Sequence, residues 1–163
     1  MKKIIDLFYR TLQVLLTVLL MALVVPVVLQ IVSRFTDLIP RYIWTEEVAR
    51  FCFIWIIMIG SMIAVRDGSH FDLEVLPKPK TARGQAISRL FVHGAMLLMA
   101  LTFVVFGFRF AQFGLDQESE LTGLNMFAIH VAWPLAGFAF ILFLGEKILA
   151  DIALFRRGDH GPA

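Results

Sequence analysis

Long apolar runs separated by short polar segments dominate this chain. A helix of about 20 apolar residues crosses a hydrocarbon layer of about 30 Å, and four runs reach that length. We place these helices at residues 12–32, 44–65, 88–110 and 126–148. Between the second and third runs, apolar and acidic residues alternate, which predicts a short segment lying on the membrane surface. The pattern therefore predicts an all-α integral membrane protein with four transmembrane helices, forming one domain over residues 1–163.

Composition supports this fold class. The chain is 59% hydrophobic and only 17% charged, which is too apolar for an ordinary soluble domain. A net charge of +2 gives no basis for binding nucleic acid. The single cysteine, Cys52, lies inside an apolar run, so we expect it to pack as a small hydrophobe. The first run is longer than the apolar core of a signal peptide and lacks its cleavage motif, so we expect it to be retained.

Basic residues predict the orientation. Eleven of the 15 Lys and Arg residues lie before the first run, between the second and third, after the fourth, or within two residues of the adjoining run ends. Because such residues accumulate on the cytoplasmic side, we expect both termini in the cytoplasm. The segment 112–125 has no Lys or Arg and contains three acids, Asp116, Glu118 and Glu120. It is therefore expected on the opposite side.

The second run opens with charged residues, in the stretch Trp44-Thr45-Glu46-Glu47-Val48-Ala49-Arg50-Phe51. Charges at the mouth of a membrane helix are costly unless they are paired or hydrated. Arg50 follows Glu46 by four residues and Glu47 by three, the spacing and order that favour ion pairs on a helix. We predict a structural ion cluster of Glu46, Glu47 and Arg50 rather than a transport site. The helix dipole, with Thr45 as N-cap, is an alternative explanation for the two acids.

A helical projection divides the second span into two stripes. One stripe is charged and small, with Glu46, Arg50, Gly60 and Ala64 among its members, and we expect it to face the chain's own helices. The opposite stripe is aromatic and Met-rich, and we expect it to contact a partner subunit, with plain lipid contact as the alternative. Its members are Trp44, Phe51, Trp55, Met58 and Met62.

The far end of this span carries Arg66, Gly68 and His70. Gly68 is expected to end the helix in the left-handed conformation. Arg66 and His70 are predicted to anchor the turn at the headgroups. Small residues in the third and fourth spans are predicted packing notches. They are Gly94, Ala95, Gly107, Ala111, Ala132, Ala136 and Gly137.

These residues together resemble the small membrane subunit of tripartite ATP-independent periplasmic (TRAP) transporters. The pattern includes Trp44, Glu46, Glu47 and Arg50, then Trp55, Gly60, Arg66 and His70, with Pro134 and Gly137 in the last span. The resemblance implies a bacterial inner-membrane scaffold that binds the large membrane subunit. It also implies a periplasmic binding protein that delivers an organic acid, which the large subunit imports with a sodium gradient.

The chain's own residues agree with a scaffold role. No discontinuous helix pair and no polar cluster at mid-membrane is apparent, although transporters use both for their substrates. Neither a nucleophile–base pair nor a cluster of metal ligands is apparent, so we expect no enzymatic activity, cofactor or metal. The acids Asp116, Glu118 and Glu120 are candidates for docking the binding protein, and a simple solvated loop is the alternative.

Two other functions are alternatives. Histidines in two spans suggest a cytochrome b-like membrane anchor of a respiratory enzyme, with His93 and His130 as haem ligands. At about 1.5 Å per residue their expected separation is on the order of 20 Å, which is too far for both to bind one iron, so only ligation by a single histidine is left to this alternative. A small exporter acting as a homodimer is the second alternative, but the acids cluster at helix ends rather than at mid-membrane.

Overall fold

The computed structural model describes residues 2–36, 40, 42–68, 82–120 and 122–157. Its helices are α1 (Lys2–Phe35), α2 (Trp44–Asp67), α3 (Ala82–Leu115), α4 (Phe127–His130) and α5 (Ala132–Arg157). Four segments are long and apolar enough to cross a membrane: α1, α2, α3, and α4 with α5 counted together. Within the described residues the only strand-like pairing is an isolated bridge between Glu118 and Asn125. The prediction of an all-α protein with four membrane-spanning helices is therefore confirmed.

Several helix ends extend beyond the predicted apolar runs because polar residues continue the helix there. Helix α2 includes Arg66 and Asp67, and α3 already begins at Ala82. Both ends of the expected surface segment, residues 66–87, are thus helical, and residues 69–81 lie outside the described part of the chain. At the end of α2, Gly68 adopts a φ of 76° and its N–H donates to the Ala64 carbonyl at 3.0 Å, as predicted for a left-handed cap.

Packing places α5 at the centre. Helix α1 packs on α2, α2 on α5, and α5 on α3. In the most apolar stretch of the last span 56% of residues are buried, against 6% in α1. The largest fully buried side chains are Ile59 of α2 and Phe143 and Leu144 of α5. The core is therefore built mainly from α2 and α5, and α1 is an outer helix that contributes Ile5 and Leu12.

Small residues bring α3 and α5 close together. A methyl group added at Gly137 would lie 2.8 Å from Val104 Cγ2 and 2.9 Å from the Ala100 carbonyl oxygen. One added at Gly107 would lie 2.9 Å from the Pro134 nitrogen. Ala111, Ala132 and Ala136 are also buried. These predicted notches are confirmed. Gly94 and Ala95 face outward instead.

A proline separates α4 from α5. Pro134 has no N–H to donate to the carbonyl four residues earlier, and the helix is interrupted at Val131. The indole of Trp133 packs edge-on against Phe103, with ring centroids 5.5 Å apart, and against Phe110 at 6.4 Å. This aromatic contact holds the start of α5 against α3.

Candidate functional site

A polar cleft of about 520 Å³ lies where α2 begins. The segment between α3 and α4 forms its other wall, and this segment folds back on itself as a short turn. The Ser119 N–H donates to the Leu124 carbonyl and the Met126 N–H to the Gln117 carbonyl, both at 2.9 Å. Gly123 permits the reversal with a φ of 67°. The cleft is lined by Glu47, Arg50, Asp116, Gln117, Glu118, Ser119, Glu120 and Met126.

Glu47 is the buried carboxylate of this cleft. Its side chain is only 5% exposed, and its Oε1 accepts a hydrogen bond from the Ser119 hydroxyl. The other oxygen, Oε2, is buried and has no hydrogen-bond partner within the described residues. A buried carboxylate oxygen without a donor costs free energy, so the isolated chain leaves this group incompletely stabilised.

The predicted ion cluster is not formed. Glu46 and Arg50 are exposed, and no ion pair links Arg50 to Glu46 or Glu47 in the described part of the chain. The reason is that Glu47 turns inward to Ser119, whereas Glu46 and Arg50 are exposed, with Arg50 at the wall of the polar cleft. Thr45 is not the N-cap either, because α2 already includes it and its hydroxyl donates to the Tyr42 carbonyl at 2.7 Å.

The two faces of α2 have the reverse of the expected orientation. Met58 and Met62, predicted to face a partner, are 5% and 3% exposed and belong to the chain's own core. Trp55 is partly buried, and its indole N–H donates to the Ala128 carbonyl of α4 at 3.0 Å. Of the same stripe, Phe51 is half-buried and Trp44 is exposed. Large side chains fill the space between helices, which is why this stripe turns inward.

The outward face of α2 carries the stripe that was expected to be internal. We call Arg50, Phe53, Ile57, Gly60 and Ala64 the outward α2 stripe. Phe53 and Ile57 are exposed, and a methyl group added at Gly60 would have nothing within 4 Å. This small-residue notch is therefore not filled by any of the described helices.

The opposite end of α2 carries a second polar network that the sequence analysis missed. Arg66 forms an ion pair with Asp6 of α1, and its guanidinium lies over the Tyr9 ring at 4.9 Å. The Tyr9 hydroxyl donates to Asp67 Oδ1 at 2.6 Å. Arg66 therefore joins α1 to α2, and His70, predicted to act with it, lies outside the described residues. The available signal was Asp6, the only acidic residue of α1.

Lys147 connects α5 to this same end of α2. Its ammonium donates to the Val65 carbonyl at 2.8 Å. A methyl group added at Gly68 would lie 3.1 Å from the same nitrogen. The glycine thus leaves room for the lysine.

The described residues contain no group of three or more His, Cys, Asp or Glu side chains arranged to hold a metal. His130 is buried and stacks on Phe110, with ring centroids 3.8 Å apart. The candidate functional groups are therefore the charged side chains, which lie at the two ends of α2.

Comparisons with known proteins identify relatives. The chain is 25% identical over 115 residues to a putative TRAP transporter small permease protein of Haemophilus influenzae, covering 71% of each. It is 27% identical over 106 residues to the sialic acid TRAP transporter small permease protein SiaQ of Vibrio cholerae, covering 65% of this chain and 61% of SiaQ.

A third relative is much longer. The chain is 29% identical over 132 residues to the sialic acid TRAP transporter permease protein SiaT of H. influenzae, covering 79% of this chain but only 20% of SiaT. A respiratory membrane anchor is not favoured by any of these matches. The family model for tripartite ATP-independent periplasmic transporters, DctQ component, matches residues 21–154. The chain belongs to this family of TRAP small permease proteins and is a multi-pass protein of the bacterial inner membrane.

Proposed function

We propose that this chain is a non-catalytic scaffold that binds the large membrane subunit of a TRAP transporter. In this proposal the large subunit imports an organic acid, which a periplasmic binding protein delivers and a sodium gradient drives. One observation carries it: the homologous stretch in SiaT lies within a single, much longer permease polypeptide. A segment covalently joined to a permease in one organism is expected to bind it as a separate chain in another.

The distribution of polar groups supports a role without transport. Both polar clusters of the described residues lie at helix ends, one by Glu47 and one by Arg66. Between them the centre is filled by Ile59, Phe143 and Leu144. Proteoliposomes holding this chain alone should therefore accumulate no organic acid, and those holding it with the large subunit and binding protein should. Uptake by the chain alone would refute the proposal.

The outward α2 stripe is the surface proposed to contact the large subunit. Its apolar members are exposed, and Gly60 leaves an open notch into which another helix backbone fits. Small residues of this kind allow close helix approach in membranes. Arg50, exposed at one end of the stripe, would set the register by pairing with an acid of the large subunit. This stripe takes the place of the interface predicted at Met58 and Met62, because those two side chains are buried in the chain's own core.

A bulky substitution at the notch tests this interface. Gly60→Leu fills empty space in the chain itself, so its own helicity and thermal stability should be unchanged. It should reduce co-purification of the large subunit from mild detergent about tenfold, because overpacking a helix contact costs about 1–3 kcal/mol. Gly94→Leu in α3 is the matched control, since its position is equally open. Full co-purification with Gly60→Leu, or an equal loss with the control, would place the interface elsewhere.

The acidic turn is proposed to dock the periplasmic binding protein. Asp116, Glu118 and Glu120 are exposed on the polar cleft and have no ion pair within the described residues. The proposed orientation, with both termini in the cytoplasm, puts this turn in the periplasm. Replacing the three acids with their amides should slow association of the binding protein about tenfold at low salt and less at high salt. Glu46→Gln, an exposed acid that does not line the cleft, is the control. Unchanged association would remove this surface from the proposal.

A further inference from the structure

A second cleft, of about 470 Å³, lies at the start of α1 and is shared with the end of α2. Three cationic side chains line it: Lys3 and Arg10 from α1, and Arg66 from α2. One carboxylate, Asp6, is also part of its wall. The two helices thus bring three positive charges and one negative charge to the same site.

The described residues do not fully neutralise the positive charge of this cleft. Asp6 is paired with Arg66, and neither Lys3 nor Arg10 forms an ion pair within the described residues. Asp67 is nearby, but it does not line the cleft and accepts the Tyr9 hydroxyl. Both Lys3 and Arg10 are exposed, so their donors are available to a ligand. An anion with several acceptor oxygens is the ligand that fits.

An exposed apolar track runs from these cations along α1. Leu7 follows Lys3 by four residues, Val14 follows Arg10 by four, and Met21 follows Val14 by seven, so they share one helix face with the cations. Leu7 is 67% exposed, Val14 is 64% exposed and Met21 is 71% exposed. No other described helix covers this face.

We infer that this cleft binds the phosphate headgroup of an anionic phospholipid, with an acyl chain lying along Leu7, Val14 and Met21. Phosphate oxygens accept hydrogen bonds from guanidinium and ammonium groups, and a net negative headgroup matches the uncompensated charge. A lipid fits this site better than a free anion does, because only a lipid has an acyl chain that can contact the apolar track and add to the binding affinity. Binding there would join α1 to α2 across the surface where Asp6 meets Arg66.

Native mass spectrometry of the full chain in neutral detergent tests this site. Phosphatidylglycerol and phosphatidylcholine with identical acyl chains are titrated separately, and inorganic phosphate forms a third arm. We expect phosphatidylglycerol to bind most tightly. In the variant carrying Lys3→Gln and Arg10→Gln its affinity should fall about 30-fold, because each basic residue contributes about fivefold. Phosphatidylcholine binding should be unchanged.

Two matched variants make the result decisive. Arg34→Gln removes an exposed cation at the other end of the same helix and should leave binding unchanged. Arg10→Lys keeps the charge and should retain affinity within about threefold. Equal binding of the two lipids, or undiminished phosphatidylglycerol binding by the double variant, would overturn the inference. Inorganic phosphate that displaces the lipid at similar concentration would also overturn it, because the apolar track would then play no part.

Discussion

The contact between α3 and α5 makes a sharp prediction about Gly137. In Gly137→Ala the new methyl group would lie 2.9 Å from two backbone atoms, the Ala100 oxygen and the Val104 nitrogen. Ordinary van der Waals contact begins near ~3.5 Å, so the overlap is roughly 0.6 Å at each atom. Neither backbone atom can rotate away, so the two helices must separate.

The expected cost follows from two opposing effects. Overpacking of this kind costs about 1–3 kcal/mol. Replacing a helical glycine with alanine recovers up to about 1 kcal/mol from backbone entropy. Gly137→Ala should therefore lower the free energy of unfolding by about 1–2 kcal/mol. Gly145→Ala, on the same helix with nothing within 4 Å of its added methyl group, should be neutral or stabilising.

Unfolding of the purified chain by SDS in mixed micelles measures this difference, with tryptophan fluorescence as the signal. Trp133 packs against Phe103 at the α3–α5 contact, so its emission is expected to report the separation of these helices. The two variants should differ by about 2 kcal/mol. If Gly137→Ala is as stable as Gly145→Ala, the close approach of α3 and α5 described above is wrong.

Two further substitutions test the connections of α2. Trp55→Phe removes the donor to the Ala128 carbonyl and should lower the free energy of unfolding by about 1 kcal/mol, while Trp44→Phe at an exposed position should not; equal effects in the same SDS titration would contradict this. Tyr9→Phe removes the hydroxyl that donates to Asp67, a partly solvated bond, so we expect a loss of about 0.5–1 kcal/mol. Cysteine crosslinking of α1 to α2 should become less efficient in that variant, and an unchanged crosslinking rate would refute the role of this bond.

The sequence predicted those features that depend on neighbouring residues. Four spans follow from the length of the apolar runs, and the end of α2 follows from the freedom of Gly68 to take a positive φ. The notches at Gly107 and Gly137 were also recognisable, because small residues in membrane spans allow close helix approach, although Gly94 and Ala95, predicted on the same ground, face outward.

The orientation of α2 could not be predicted in this way. A helical projection separates two stripes but does not say which one meets another helix. That depends on contacts between residues distant in the chain, such as Glu47 with Ser119 and Trp55 with Ala128. The predicted ion pair between Arg50 and Glu47 is not formed for the same reason. The hydroxyl of Ser119, 72 residues further along the chain, donates a hydrogen bond to the Glu47 carboxylate instead.

The central position of α5 has a consequence for biosynthesis. Helices α2 and α3 follow each other in the chain, yet both pack on α5, which comes after them. Until α5 is inserted, Ile59 and Met62 of α2 lack the packing contacts with α5 that help to bury them in the folded protein. The nascent protein must therefore hold a half-built bundle in the bilayer until α5 joins α2 and α3.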